Sequence, residues 1–160
     1  MPEEGGRSRA IGQLSLKGRA LRYLSAREHS RAELERKLVS REEEPGQLSK
    51  VLDELTAKGF LSEQRVVESV INRRAPRLGS MRIKHELQTK GLTPEAVNGA
   101  MDTLKITELE RAREVWRKKF GAPPSDAAAR GKQMRFLASR GFGAEVLRRV
   151  VAGSDEDDCL

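Results

Sequence analysis

The chain has 160 residues, 37% of them hydrophobic and 34% charged, with a formal net charge of +7. That length suffices for one ordinary domain, but so small an apolar share leaves only a thin core. No apolar run reaches membrane-span length, and the N-terminal residues lack the apolar region of a signal peptide. The lone Cys159 excludes an internal disulfide, so a soluble protein of the reducing cytoplasm is expected.

Leu, Ala, Glu, Lys and Arg dominate and aromatic residues are scarce, which predicts an all-α chain. The polar, Gly-rich stretch 1–15 reads as a disordered N-terminus. A first three-helix module is expected over 16–61. Its first helix turns Ala20, Leu21 and Leu24 inward, and Ser30-Arg31-Ala32-Glu33 is a capping box that opens the second, with Leu34 and Leu38 on one face. Pro45-Gly46 ends that region. Leu48, Val51, Leu52 and Leu55 then mark a third helix at spacings of three and four, stopped by Gly59, with Phe60 and Leu61 folding back onto it.

A second module is expected over 62–104. Val66 to Ile71 has strand-like composition, yet Ser62 as a cap and the inward phase of positions 66, 67, 70 and 71 predict a helix. Another helix runs from Met81 to Lys90 and closes at Gly91. Thr93-Pro94 caps the next, which turns Val97, Met101 and Leu104 inward. A third module over 105–152 has Leu109, Ala112, Trp116 and Phe120 on one stripe, a helix through Phe136-Leu137, and a last helix with Val146, Leu147 and Val150. Residues 153–160 form an acidic tail.

One pattern recurs about every fifty residues: Glu33-Leu34-x-x-Lys37-Leu38, Glu86-Leu87-x-x-Lys90-Gly91-Leu92 and Phe136-Leu137-x-x-Arg140-Gly141-Phe142. Such a repeat predicts an elongated tandem array of three-helix, helix-turn-helix-like modules. It suits gripping something extended better than enclosing a small-molecule substrate.

Charge is unevenly spread along this array. Residues 1–63 carry 12 Lys+Arg against 11 Asp+Glu, whereas 64–152 carry 19 against 9. A surface this basic attracts polyanions, either nucleic acid or an acidic protein groove. By helical phase Arg82, His85, Arg111, Lys118, Lys132 and Arg135 point away from the apolar stripes and form a discontinuous basic band. Of these, Arg82, Arg111, Lys118, Lys132 and Arg135 are the candidate partner-binding residues, and His85 is either an ordinary surface residue or a contact residue within that band. Lys37, Lys90 and Arg140 each fall in the last turn of a second helix, where a cation complements open carbonyls. Arg74 shares the inward phase of Val66 and Val70, and its guanidinium either caps carbonyls or pairs with an acid such as Glu86. Trp116 reads as core.

Catalytic chemistry has no foothold. His29 and His85 sit in different modules without a Cys or carboxylate at metal-ligand spacing, and no phosphate-cradling glycine loop is present. No cofactor, metal or catalytic residue is expected.

With the modules laid out, the chain resembles the RecX family, regulators of the recombinase RecA, from about Leu16 to Ala152. The resemblance rests on Gly59-Phe60-Leu61, Arg65, Arg74, Gly79, Arg82-Ile83 and Glu86-Leu87-x-x-Lys90-Gly91-Leu92, in that order. Arg27-Glu28-His29-Ser30 with Glu33-Leu34, and Phe136-Leu137-x-x-Arg140-Gly141-Phe142, support it. Val66 and Val70 stand where the family often has aromatic residues, which bears on packing in the second module. The resemblance implies three-helix modules docking in the groove of the RecA filament on DNA, limiting filament growth, strand exchange, ATP turnover and repressor cleavage; separately, a monomer is expected. The alternative from another class is a helical-repeat protein that binds DNA directly.

Overall fold

The computed structural model describes residues 13–152, so the expected disordered segment lies mostly, and the acidic tail and Cys159 wholly, outside the described residues. All regular secondary structure among the described residues is helical, with no strand among them, and Val66 to Ile71 is helix. The chain divides into two compact units, residues 1–62 and 63–160.

Unit 1 contains α1 (Leu16–Ala26), α2 (Arg31–Leu38) and α3 (Gln47–Ala57). Ser15 caps α1 by accepting the Gly18 amide at 3.0 Å, and the Ser30–Glu33 capping box is complete at the start of α2. Rather than stopping cleanly, α2 tightens into a 3-10 turn over Val39–Arg41. Gly59 takes a left-handed φ of +80° after α3, which lets the Phe60 and Leu61 amides both return to the Leu55 carbonyl. Leu16, Ala20, Leu34, Leu38, Leu48, Leu52, Leu55 and Leu61 form the core. Phe60 departs from expectation: only Leu61 folds inward, and the Phe60 ring is exposed. Lys17 ties α1 to α3 through Glu54 at 2.7 Å, and Lys58 at the end of α3 bonds the same carboxylate at 2.8 Å, together pushing its pKa down to about 2.

Unit 2 contains α4 (Glu63–Arg74), α5 (Ser80–Thr89), α6 (Pro94–Lys119), α7 (Ala127–Ser139) and α8 (Ala144–Val151). One core gathers Val70, Ile83, Leu87, Val97, Ala100 and Leu104 from α4, α5 and the first half of α6. A second gathers Ala112, Leu137, Phe142, Leu147, Val150 and Val151 from the rest of α6 with α7 and α8. The boundary read at 104/105 therefore falls inside one unbroken 26-residue helix, about 39 Å long. No glycine or proline interrupts its middle, so nothing in the local chemistry ends it there. Leu34, Leu87 and Leu137, the shared leucines of the repeated pattern, are each fully buried.

The two halves of unit 2 are also joined away from α6. The Gly79 amide donates to the Arg140 carbonyl at 2.7 Å and the Met81 amide to the Gly141 carbonyl at 3.1 Å. The start of α5 is thus satisfied by the turn between α7 and α8.

Candidate interaction surface

Buried polar side chains show what is structural and what is left for a partner. Glu108 lies on the apolar side of α6, between Leu104 and Ala112, and is buried. Its carboxylate takes the Ser80 hydroxyl at 2.8 Å from each oxygen and the Ser80 amide at 3.3 Å. Sequence reasoning missed this pair. The signal was present, because positions 104, 108 and 112 recur every four residues and place a carboxylate on a core-facing row.

Arg111 turns out differently from its helical phase. Its guanidinium reaches inward, donating to the carbonyls of Ala75, Leu78 and Leu104 at 3.2, 2.8 and 3.1 Å, while Nε bonds Thr107 at 3.0 Å. Burial lowers its pKa and the nearby Glu108 charge opposes that shift. Arg111 is a staple that closes the end of α4 onto α6, because the carbonyls after α4 need donors and this long side chain supplies them.

The other four candidates are exposed. Lys132 and Arg135 on α7 are followed at the same phase by Ser139, and the Arg82 guanidinium from α5 donates to the Ser139 carbonyl at 3.1 Å. Lys132, Arg135 and Arg82 therefore form one row across α7 and α5. Among the described residues no carboxylate pairs with any of them, nor with Lys118 on the exposed side of α6. The structure joins Arg82 to the α7 row, removes Arg111 from it, and leaves Lys118 on a different helix.

Arg74, Arg140 and Lys37 have internal partners. Arg74 bonds Glu86 at 3.1 Å, with Arg73 adding a 3.6 Å contact to the same carboxylate. Arg140 lies over the Phe136 ring, 5.0 Å from its centroid. Lys37 is more than a helix-end cation: its ammonium donates to Nε2 of the buried His29 at 3.1 Å and sits 4.6 Å from the Tyr23 ring centroid. The other ring nitrogen of His29 donates to the Arg27 carbonyl at 3.0 Å. Trp116 is half-buried and donates to Gln133 at 2.8 Å. His85 is exposed.

No group of His, Cys, Asp and Glu suited to a metal occurs among the described residues, and no helix among them is long and apolar enough to cross a membrane. Fold and surface together define a protein built of three-helix domains whose distinctive chemistry is positive charge displayed on helix faces.

Comparison with known proteins gives that class its family. Residues 107–151 match the model for the RecX third three-helix domain and residues 17–55 that for the RecX first three-helix domain. The regulatory protein RecX of Leptothrix cholodnii is 55% identical over 145 residues, covering 91% of this chain and 92% of the relative. That of Herminiimonas arsenicoxydans is 47% identical, covering 91% and 97%. The crystal structure of RecX from Lactobacillus salivarius shares the fold with a TM-score of 0.74 at 20% identity, over 91% of this chain and 96% of that one. The chain belongs to the RecX family of regulatory proteins, which is not a known enzyme family.

Proposed function

We propose that this protein binds the RecA filament on DNA along its groove and restrains the recombinase, lowering its ATPase, strand-exchange and coprotease activities in recombination and repair. Family membership supports the partner. The observation that carries the binding mode is the row of Lys132, Arg135 and Arg82, which no carboxylate among the described residues neutralises, a surface suited to an acidic protein groove or a nucleoprotein. Lys118 adds a further contact, and Arg111 supports the row only by holding α4 and α6 together. Several modest contacts on one chain add through effective concentration, so no single module needs high affinity. In this reading a single chain acts in the cytoplasm, without a cofactor and without bond-making chemistry.

The test is a titration of RecA ATPase and strand exchange with the native chain and with a variant carrying Arg82→Glu, Lys132→Glu and Arg135→Glu. Inhibition by the native chain that weakens at least tenfold in a variant of unchanged melting temperature is the expected result. Equal inhibition by both chains removes the row from the interface, and no inhibition by the native chain overturns the reading.

A further inference from the structure

Unit 1 holds a cationic cluster that the charge distribution along the sequence conceals. An open hollow of about 480 Å³ is lined by Arg19, Arg22 and Tyr23 of α1, Lys37 of α2, and Ser40 and Arg41 of the 3-10 turn. No carboxylate lines it, although residues 1–63 carry acids and bases in almost equal number. Several cations elsewhere in this unit are matched: Lys17 and Lys58 to Glu54, Arg27 to Glu33, and Arg31 to Glu35 and Asp53. Arg19, Arg22 and Arg41 have no carboxylate partner among the described residues.

Three arginines bordering one hollow repel each other, Glu43 beside Arg19 and Arg41 in the adjoining hollow offsets only part of that charge, and an anion placed among the three removes the rest. Guanidinium forks match the paired oxygens of a phosphate, and the Ser40 hydroxyl adds a neutral donor. The hollow is larger than a lone phosphate needs and falls in the size range of pockets for whole small ligands. Tyr23 is about one-third exposed and supplies an aromatic wall, its ring held by Lys37 and by the tilted His29 ring 5.5 Å away. An aromatic wall beside phosphate forks suits a nucleotide unit better than a run of acidic side chains, which offers no ring to lie against it.

We propose that this hollow binds a segment of a single nucleic-acid strand, with phosphates on Arg19, Arg22 and Arg41 and a base or sugar against Tyr23. The site is independent of the row on α5 and α7, and its test contains no recombinase, so either can fail alone.

The test is fluorescence anisotropy of the full chain with a labelled oligothymidylate of about 20 nucleotides, at about 50 and 200 mM salt. The double variant Arg22→Gln, Arg41→Gln changes only exposed side chains and keeps the fold, as its melting curve checks. It is expected to bind at least tenfold more weakly, with a log–log salt slope shallower by about 1 to 2. Adding Arg19→Gln deepens the loss. Unchanged affinity in the double variant overturns the proposal. Polyglutamate displacing the strand as effectively as unlabelled oligothymidylate also overturns it, since the hollow would then be reading carboxylates.

Discussion

Ser80 and Glu108, 28 residues apart, meet in the interior of unit 2, where the serine hydroxyl lies 2.8 Å from both carboxylate oxygens. The carboxylate also receives the first amide of α5, so one side chain of α6 caps another helix from across the core. Removing it strands two buried donors. Glu108→Ala is expected to lower the stability of unit 2 by about 2 to 3 kcal/mol, and Glu108→Gln by less because one acceptor oxygen remains. Chemical denaturation followed by circular dichroism measures both; a Glu108→Ala change within experimental error of zero contradicts the capping role.

Close to that pair, Gly79 and Gly141 let two main chains touch. A Cβ on Gly79 would collide with the backbone of Gly141 and Phe142, and one on Gly141 would collide with Arg82. Gly141 also holds a left-handed φ of +95°. Gly79→Ala is expected to destabilise unit 2 by about 2 kcal/mol or more, through forced separation of α5 from the α7–α8 turn. Gly99, on an exposed face of the second turn of α6 with open space around its Cβ position, gives the opposite sign: Gly99→Ala should stabilise by about 0.5 to 1 kcal/mol. Paired thermal melts of the two variants decide it.

Arg111 and Lys132 were alike in the sequence and are unlike in the structure. Arg111→Ala deprives three carbonyls of their donor and should lower stability by about 1 to 3 kcal/mol. Lys132→Glu, on an exposed face, should leave stability within about 0.5 kcal/mol. If the two variants melt alike, the inward role of Arg111 is wrong.

His29 gives unit 1 a pH dependence. Burial holds its pKa below the ordinary 6.5, opposed by its bond to the Arg27 carbonyl and reinforced by the charges of Arg27 and Lys37. The unfolded chain therefore binds a proton that the folded chain refuses, and stability falls as pH drops below about 6.5 toward the folded value. Melting temperature should decline between about pH 7 and pH 5.5, and His29→Gln should flatten that window. A native curve no steeper than the variant's there removes His29 as the titrating group.

The helices of this protein are written in short-range features. Ser15, Ser30 and Thr93 cap, Gly59, Gly91 and Gly141 stop, and Leu34, Leu87 and Leu137 recur at one place in each repeat. Each acts over one or two turns, within reach of spacing and propensity. The family likewise shows in the order of such local marks. Tertiary structure decided what spacing could not reach. Arg111 points outward by helical phase, yet a long flexible stem lets its charge bend to carbonyls more than thirty residues away. Arg82 joins the α7 row only because two glycines without side chains let α5 approach the α7–α8 turn. Arg19, Arg22 and Arg41 become a cluster only once α1 packs beside the end of α2, since charge counted along a chain says nothing about which cations fold to one side.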